Sequence, residues 1–220
     1  MVTAVDAWER YAEKSAPRRA TNAAGSRTWI NWTQYPDHGP GESLLGDVAG
    51  RNVLELGSGT GANLAHLASL GAGCVGVDLA PSRKAKADRT WADQANMEFC
   101  TADAVDYLTG TPAKFDVIYS IFGAVWFTDP EILVPLVLDR LTPGGLFVFS
   151  QLPAEQSSPE QSSPGQSSSG RDRVIRKWNH LAGLWAGVLV EFGFGSATAE
   201  VVAPPVAGQA GTLVVRAVRT

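Results

Sequence analysis

Three carboxylates stand at the ends of apolar runs in the first half of this chain: Glu55 in "VLELGSGTG", Asp78 in "GCVGVDLA" and Asp103 in "CTADA". Behind the first, Gly57, Gly59 and Gly61 alternate with Ser58 and Thr60. Glycines in the turn between a first parallel strand and its helix let a ligand approach the backbone, and the helix N-terminus adds partial positive charge. A carboxylate ending the next strand points at the same crevice and can accept hydrogen bonds from two adjacent ribose hydroxyls. One ending the third strand can accept from an exocyclic amino group, or simply cap the helix that follows.

Alternatives stay open on these residues alone. Gly57, Gly59 and Ala62 satisfy the dinucleotide spacing G-x-G-x-x-A, so an NAD-type oxidoreductase must be weighed, and an acid like Asp78 is common to both ligand types. Glycines serving only a tight turn are the minor alternative.

The elements that must position this set follow from the apolar pattern. From residue 52 the chain alternates strand and helix, the expectation for a parallel sheet flanked by helices. "NVLELG" feeds "GANLAHLASLG"; "GCVGVDLA" feeds "PSRKAKADRTWADQA", opened by Pro81 at a first-turn position that tolerates a missing N–H. "MEFCTA" precedes a short helix around "DAVDYLTG", and "FDVIYSIF" precedes the helix "DPEILVPLVLDRL", which contains Pro135. "TPGGLFVFSQL" turns into a fifth strand. After an interruption, "AGLWAGVLVEFGF" reads as a helix ending near Gly193, with "ATAEVVAPP" and "GTLVVRAVR" as a terminal strand pair. Residues 5–15 read as an amphipathic helix and 16–50 as an irregular lead-in, a cover more than a core. The interruption at 154–170 is a near-repeat of Gln, Ser, Pro and Glu with no large apolar group, and is expected to be disordered, with a closing lid as the functional alternative.

The series Glu55, Gly57, Gly59, Gly61, then Asp78, Asp103, "FDVIYSIF" and "LTPGGLFVF" resembles the class I S-adenosylmethionine-dependent methyltransferases over about residues 50–220. The resemblance implies an α/β, Rossmann-like, seven-stranded and mostly parallel sheet with an antiparallel last strand and helices on both faces. It divides the chain into an N-terminal cover, 1–50, and a cofactor-binding domain, 51–220. It implies S-adenosyl-L-methionine as cofactor. Glu55 would help hold the methionine ammonium, and Gly57, Ser58, Gly59 and Gly61 would let the chain pass close. Asp78 with Leu79 would bind the ribose, and Asp103 with Ala104 would frame the adenine. Ser120 would border cofactor and acceptor, and Tyr11 resembles an N-terminal Tyr that meets the cofactor carboxylate in some relatives.

On the acceptor side the resemblance points to bacterial small-molecule methyltransferases, including tailoring enzymes of natural-product pathways. The stretch after the fourth strand lacks the Pro-Pro-aromatic run of DNA amino-methylating relatives, and neither cysteine follows a proline as cytosine methylation needs. Instead Phe122, Trp126 and Phe127 suit the walls of a small-molecule pocket, or packing beneath the following helix. Trp29, Trp32 and Tyr35 of the lead-in can lie near a sulfonium, whose charge an aromatic face attracts, so Trp32 and Tyr35 join the expected acceptor walls. Methyl transfer is an in-line displacement that needs alignment first and a base only where the acceptor must lose a proton. Of the three histidines, His38 is the first choice for base or cofactor-side contact, His180 stands between pocket residue and helix start, and His66 is structural. Two other reactions share the cofactor site: a binding protein without transfer, and a ring closure helped by the sulfonium.

The whole chain sets the outer bounds. Its 220 residues, 45% hydrophobic, suit one domain with a sizeable core. A net charge of −4 gives no footprint for a nucleic-acid backbone, so a small-molecule acceptor is expected and nucleic acid and membrane are not. Cys74 and Cys100 lack metal-ligand spacing and read as reduced core thiols; no metal is expected. The absence of a secretory signal or long apolar run makes a cytoplasmic monomer or homodimer the expectation.

Overall fold

Short β-branched and aliphatic runs alternate with Ala- and Leu-rich stretches, and each run becomes a strand. The structure is a computed structural model that describes residues 3–16, 18–154 and 176–220. Its strands are β1 (Asn52–Leu56), β2 (Gly73–Asp78), β3 (Met97–Thr101), β4 (Phe115–Ile121), β5 (Leu141–Gln151), β6 (Phe194–Val202) and β7 (Thr212–Arg219). They form one seven-stranded sheet in the order β3-β2-β1-β4-β5-β7-β6. β1 to β5 pair in parallel, while β7 runs antiparallel between β5 and β6. This is the sheet expected from the sequence, including the antiparallel last strand. The order reverses between β1 and β4, which opens a crevice at the C-terminal ends of those strands.

The helices are α1 (Ala4–Lys14), α2 (Ala62–Ser69), α3 (Pro81–Thr90), α4 (Ala104–Gly110), α5 (Ala124–Phe127), α6 (Pro130–Arg140) and α7 (Ala182–Glu191). Strand side chains alternate between faces, so Leu54 and Leu56 enter one core with α4, α6 and α7, where Leu108, Leu133, Val137 and Trp185 are buried. Val53 faces the other core, built with α2 and α3 around Leu64, Leu67 and Ala87.

Four findings differ from the sequence reading. The lead-in is core as well as cover: Ile30, Trp32, Leu45 and Val48 are buried in the second core, beside Tyr119, Val148 and Val214, over the part of the sheet that α2 and α3 leave bare. α3 stops at Thr90, where the Trp91 indole donates to the Thr60 carbonyl at 2.8 Å instead of continuing the helix. α7 stops before Gly193, whose φ of +107° lies in the left-handed region, and β6 starts at once with Phe194. The short α5 was not anticipated. Cys74 is a buried free thiol, pushed up to about 12 by burial, while Cys100 is only half-buried. The Ser/Gln/Pro stretch expected to be disordered lies, from residue 155 on, outside the described residues. Among the described residues no helix is long and apolar enough to cross a membrane.

Candidate active site

A cavity of about 550 Å³ opens at the C-terminal ends of β1, β2 and β4, under α1. Its floor is the turn after β1. The Gly57 and Ser58 amides donate to the Val77 carbonyl at 2.8 and 3.0 Å, which binds the turn to β2. Gly57 has φ of +81°, and a Cβ there would lie 2.6 Å from the Ala124 nitrogen and 2.7 Å from Gly123 Cα. Only glycine lets the β1 and β4 turns approach this closely. A Cβ on Gly59 would meet nothing within 4 Å, so that backbone is bare toward the cavity.

Asp78 joins the two sides of the floor. Its Oδ2 accepts the Gly59 amide at 2.8 Å and its Oδ1 the Ala80 amide at 2.9 Å. A carboxylate has roughly four acceptor positions, so both oxygens keep capacity for hydroxyl donors from the cavity. Burial raises its pKa, opposed by the Ala80 and Gly59 amides. Leu79 lines the cavity beside it.

Glu55 is the buried acid of the site. It is only 2% exposed, lines the cavity, and its Oε2 has no hydrogen-bond partner. Burial pushes its pKa up to about 8, and Tyr119, Asn63 and Arg18 only partly oppose the rise. Arg18 stands close by with its guanidinium 3.8 Å over the Trp29 ring, donating to Asn63 Oδ1 at 2.7 Å and to the Trp29 carbonyl at 2.5 Å. An unpartnered buried carboxyl oxygen calls for a hydrogen-bond donor from the cavity.

Asp103 and Ala104 close the side below β3. Asp103 Oδ1 accepts from the Val105 and Asp106 amides at 2.8 and 3.4 Å, capping α4, and both residues line the cavity. The cap and the cavity position are thus one residue's two roles.

The wall after β4 is aromatic. Phe122 takes φ of +48° and donates its amide to the Ser150 carbonyl at 2.9 Å, an uncommon conformation for a bulky residue. It and Phe127 line the cavity. Trp8 of α1 meets the Phe127 ring edge-on at 4.7 Å. α1 is anchored across the opening by two polar contacts, the Ser82 amide donating to Glu9 Oε1 at 2.9 Å and Arg83 Nη2 donating to Ser15 Oγ at 2.7 Å. Tyr11, on the same helix, lines the cavity with 60% of its surface exposed.

Seven expected site residues lie elsewhere, each for a visible reason. Gly61 starts α2, and a Cβ there would fall 2.4 Å from the Phe99 ring, so it serves packing. Ser120 is buried behind the wall, donating to the Leu56 carbonyl at 2.7 Å; Ile121 lines the cavity in its place. Trp126 faces away, its indole donating to Asn179 Oδ1 at 2.6 Å. Trp32 is fully buried, donating to the Gly41 carbonyl at 3.0 Å, and Tyr35 donates its hydroxyl to the Ala210 carbonyl at 2.7 Å. His38 belongs to the same far edge, with Nε2 2.7 Å from the Ala203 carbonyl just past β6. Among the proposed histidines, His180 packs edge-on against Trp185 at 4.8 Å and does not line the cavity. His66 sits on α2, 3.3 Å from Glu42 Oε2, as a structural residue would.

The sequence reading missed Trp8, Arg18, Asn63 and Arg83, all of which line the cavity. Asn63 was legible in principle, standing two residues after Gly61 in the first turn of α2. Arg18 was not, because its partner Asn63 lies 45 residues along the chain.

Residues 53–145 match the family described as "Methyltransferase domain". Over 104 residues the chain is 34% identical to the demethylmenaquinone methyltransferase of Clavibacter sepedonicus, covering 47% of this chain and 42% of that protein. Over 106 residues it is 28% identical to the ubiquinone biosynthesis O-methyltransferase of Thiobacillus denitrificans, covering 48% and 46%. The chain thus spans less than half the length of these curated relatives. Among solved structures, an S-adenosylmethionine-dependent methyltransferase of Mesorhizobium loti superposes with a TM-score of 0.62 at 24% identity, covering 81% of this chain and 95% of that one. At that identity the likeness is one of fold.

Proposed function

We propose that this protein methylates an O, N or S atom of a small molecule, a reading supported by the match of residues 53–145 to the methyltransferase-domain family and by the likeness of the fold to that of an S-adenosylmethionine-dependent methyltransferase. The observation that carries this reading is Glu55: a buried carboxylate oxygen without a partner, facing the cavity beside a glycine turn. The residues fit the cofactor. Glu55 supplies an acceptor for its ammonium, Arg18 a cation for its carboxylate, Asp78 two oxygens for its ribose and Asp103 a carboxylate at the adenine end. The bare backbone at Gly59 leaves room for close approach.

When bound, S-adenosylmethionine supplies an electrophilic methyl group on a sulfonium. The protein's own work is placement. Phe122, Phe127 and Trp8 form the apolar wall that orients a flat acceptor and keeps water out, and Tyr11 extends that cover at the opening. None of the three histidines lines the cavity, so no imidazole base is part of this reading. Alignment alone serves an acceptor that needs no early proton loss. The β7 insertion between β5 and β6 also favours methyl transfer over the oxidoreductase alternative, whose dinucleotide fold keeps its strands parallel in the order 3-2-1-4-5-6.

Calorimetry with S-adenosylhomocysteine and with NAD tests the reading. Binding of the first and not the second is expected, and protein supplied with S-adenosylmethionine and an acceptor should form S-adenosylhomocysteine and the methylated acceptor. Binding of NAD alone would overturn it.

A further inference from the structure

Resting on the methyl-transfer reading above, we infer that the acceptor is an aromatic molecule bearing an anionic group, a carboxylate or phosphate, which Arg176 recognises. The charged groups of the cavity divide into two halves. Glu55 lies in β1, Asp78 ends β2 and Asp103 follows β3. The cations of that half are fixed beside those acids, Arg18 by Asn63 and the Trp29 carbonyl and Arg83 by Ser15. The other half follows β4, where Phe122, Phe127 and Thr128 line the cavity with Arg176, and no acidic side chain joins them among the described residues.

Arg176 is held on a built platform. Its guanidinium lies 3.9 Å from the Trp178 ring centroid. The Trp178 amide donates to the Trp126 carbonyl at 2.8 Å, and the Trp178 carbonyl accepts from Gln151 Nε2 at 3.1 Å. Gln151 is fully buried at the end of β5, so the indole is tied to the sheet itself. Among the described residues the ion pairs do not include Arg176.

Arg176 is exposed, so a flat acceptor strips water from only the side of the guanidinium that it covers, and an anion on the acceptor replaces what is lost. The planar guanidinium fork matches a carboxylate or phosphate through two parallel hydrogen bonds, and stacking on an indole leaves the fork's edge free for them. A neutral acceptor would leave this cation facing an apolar surface. The donor's carboxylate does not need it, since Arg18 stands next to Glu55.

The test uses protein saturated with S-adenosylhomocysteine, titrated with 4-hydroxybenzoate and its neutral counterpart 4-hydroxybenzamide and followed by ligand-observed NMR. The carboxylate is expected to bind about tenfold to a hundredfold more tightly, the usual strength of a charge-assisted hydrogen-bonded pair. Phenyl phosphate shares the preference. Arg176→Gln abolishes it, Arg176→Lys keeps part of it, and neither changes S-adenosylhomocysteine affinity. Equal binding of the two phenols by the parent protein, or no measurable binding of the carboxylate, overturns the inference. So does an Arg176→Gln protein that loses S-adenosylhomocysteine while keeping the preference, since that would put the guanidinium on the donor. A parent protein that fails to bind S-adenosylhomocysteine before any phenol is added is a separate result, which sinks the methyl-transfer reading and this inference with it.

Discussion

The Asp78 carboxylate accepts the Gly59 amide at 2.8 Å, so the acid that ends β2 also fixes the glycine turn that follows β1. One side chain therefore shapes the floor of the cavity and offers its remaining acceptor capacity to a ligand there.

Asp78→Ala should lose both roles. S-adenosylhomocysteine affinity should fall about tenfold to a hundredfold, the scale of losing a charged acceptor shared by two hydroxyls. Calorimetry reads this directly, and parent-like binding would remove Asp78 from the ribose position. The melting temperature of the ligand-free variant should also fall, because the Gly59 and Ala80 amides lose their partner.

Glu55 should couple binding to protons. Its pKa stands near 8 in the folded protein against an ordinary 4.5, so below neutral pH it is held mainly as the neutral acid. A cationic ammonium beside it favours the ionised form, and binding near pH 7 should release roughly one proton per site. The apparent enthalpy should then vary with the ionisation enthalpy of the buffer, and Glu55→Gln should abolish the dependence. The sign for stability follows from the raised value. This group's contribution is fully present below about 4.5 and is lost as pH rises through about 8, so the ligand-free protein should melt lower across that window and Glu55→Gln should flatten the trend.

The sheet was legible because each strand carried its own apolar run and each turn its own punctuation. Pro81 and Gly193 mark helix boundaries by local sterics alone. The half of the site built on strand ends, Glu55 to Asp103, was legible for the same reason, since a parallel sheet brings successive strand ends to one edge. The acceptor half was not. Whether Trp32, Tyr35 and His38 overhang the cavity depends on how the lead-in crosses the sheet. It runs toward β7 and the loop after β6, with Tyr35 on Ala210 and His38 on Ala203. No local pattern encodes such a crossing. Ser120 was misjudged by one residue of strand alternation, which turns its hydroxyl to Leu56 and gives the cavity Ile121.

Gly57→Ala should damage the site without removing any polar group. The new methyl would stand 2.6 Å from the Ala124 nitrogen at a φ of +81°, so the β1 and β4 turns must separate. A stability loss of about 1 to 3 kcal/mol is expected from strain at such a position, with S-adenosylhomocysteine binding weakened more than tenfold. Parent-like stability and binding would mean that the two turns do not pack as described.

Ser120→Ala should behave as a core change. The hydroxyl is buried and donates to the Leu56 carbonyl at 2.7 Å, so its removal leaves a buried acceptor short of a donor, at a cost of about 1 to 3 kcal/mol. Cofactor affinity measured well below the melting temperature should stay within about twofold of the parent, a difference under about 0.5 kcal/mol. A tenfold loss of affinity with unchanged stability would instead return Ser120 to the cavity wall.

His38→Ala separates the position inferred from sequence from the one observed. A general base typically contributes about a hundredfold to ten-thousandfold to turnover, and its removal would show at that scale. His38 instead meets the Ala203 carbonyl through Nε2 and the Tyr35 ring edge-on at 6.0 Å, both at the edge of the sheet farthest from β3. Its loss should therefore leave turnover and S-adenosylhomocysteine affinity near parent values and lower stability by roughly the 0.5 to 1.5 kcal/mol of one hydrogen bond. A hundredfold fall in turnover with the fold intact would mean that the lead-in moves in the working enzyme, carrying His38 from the β6 side to the β1–β4 crevice.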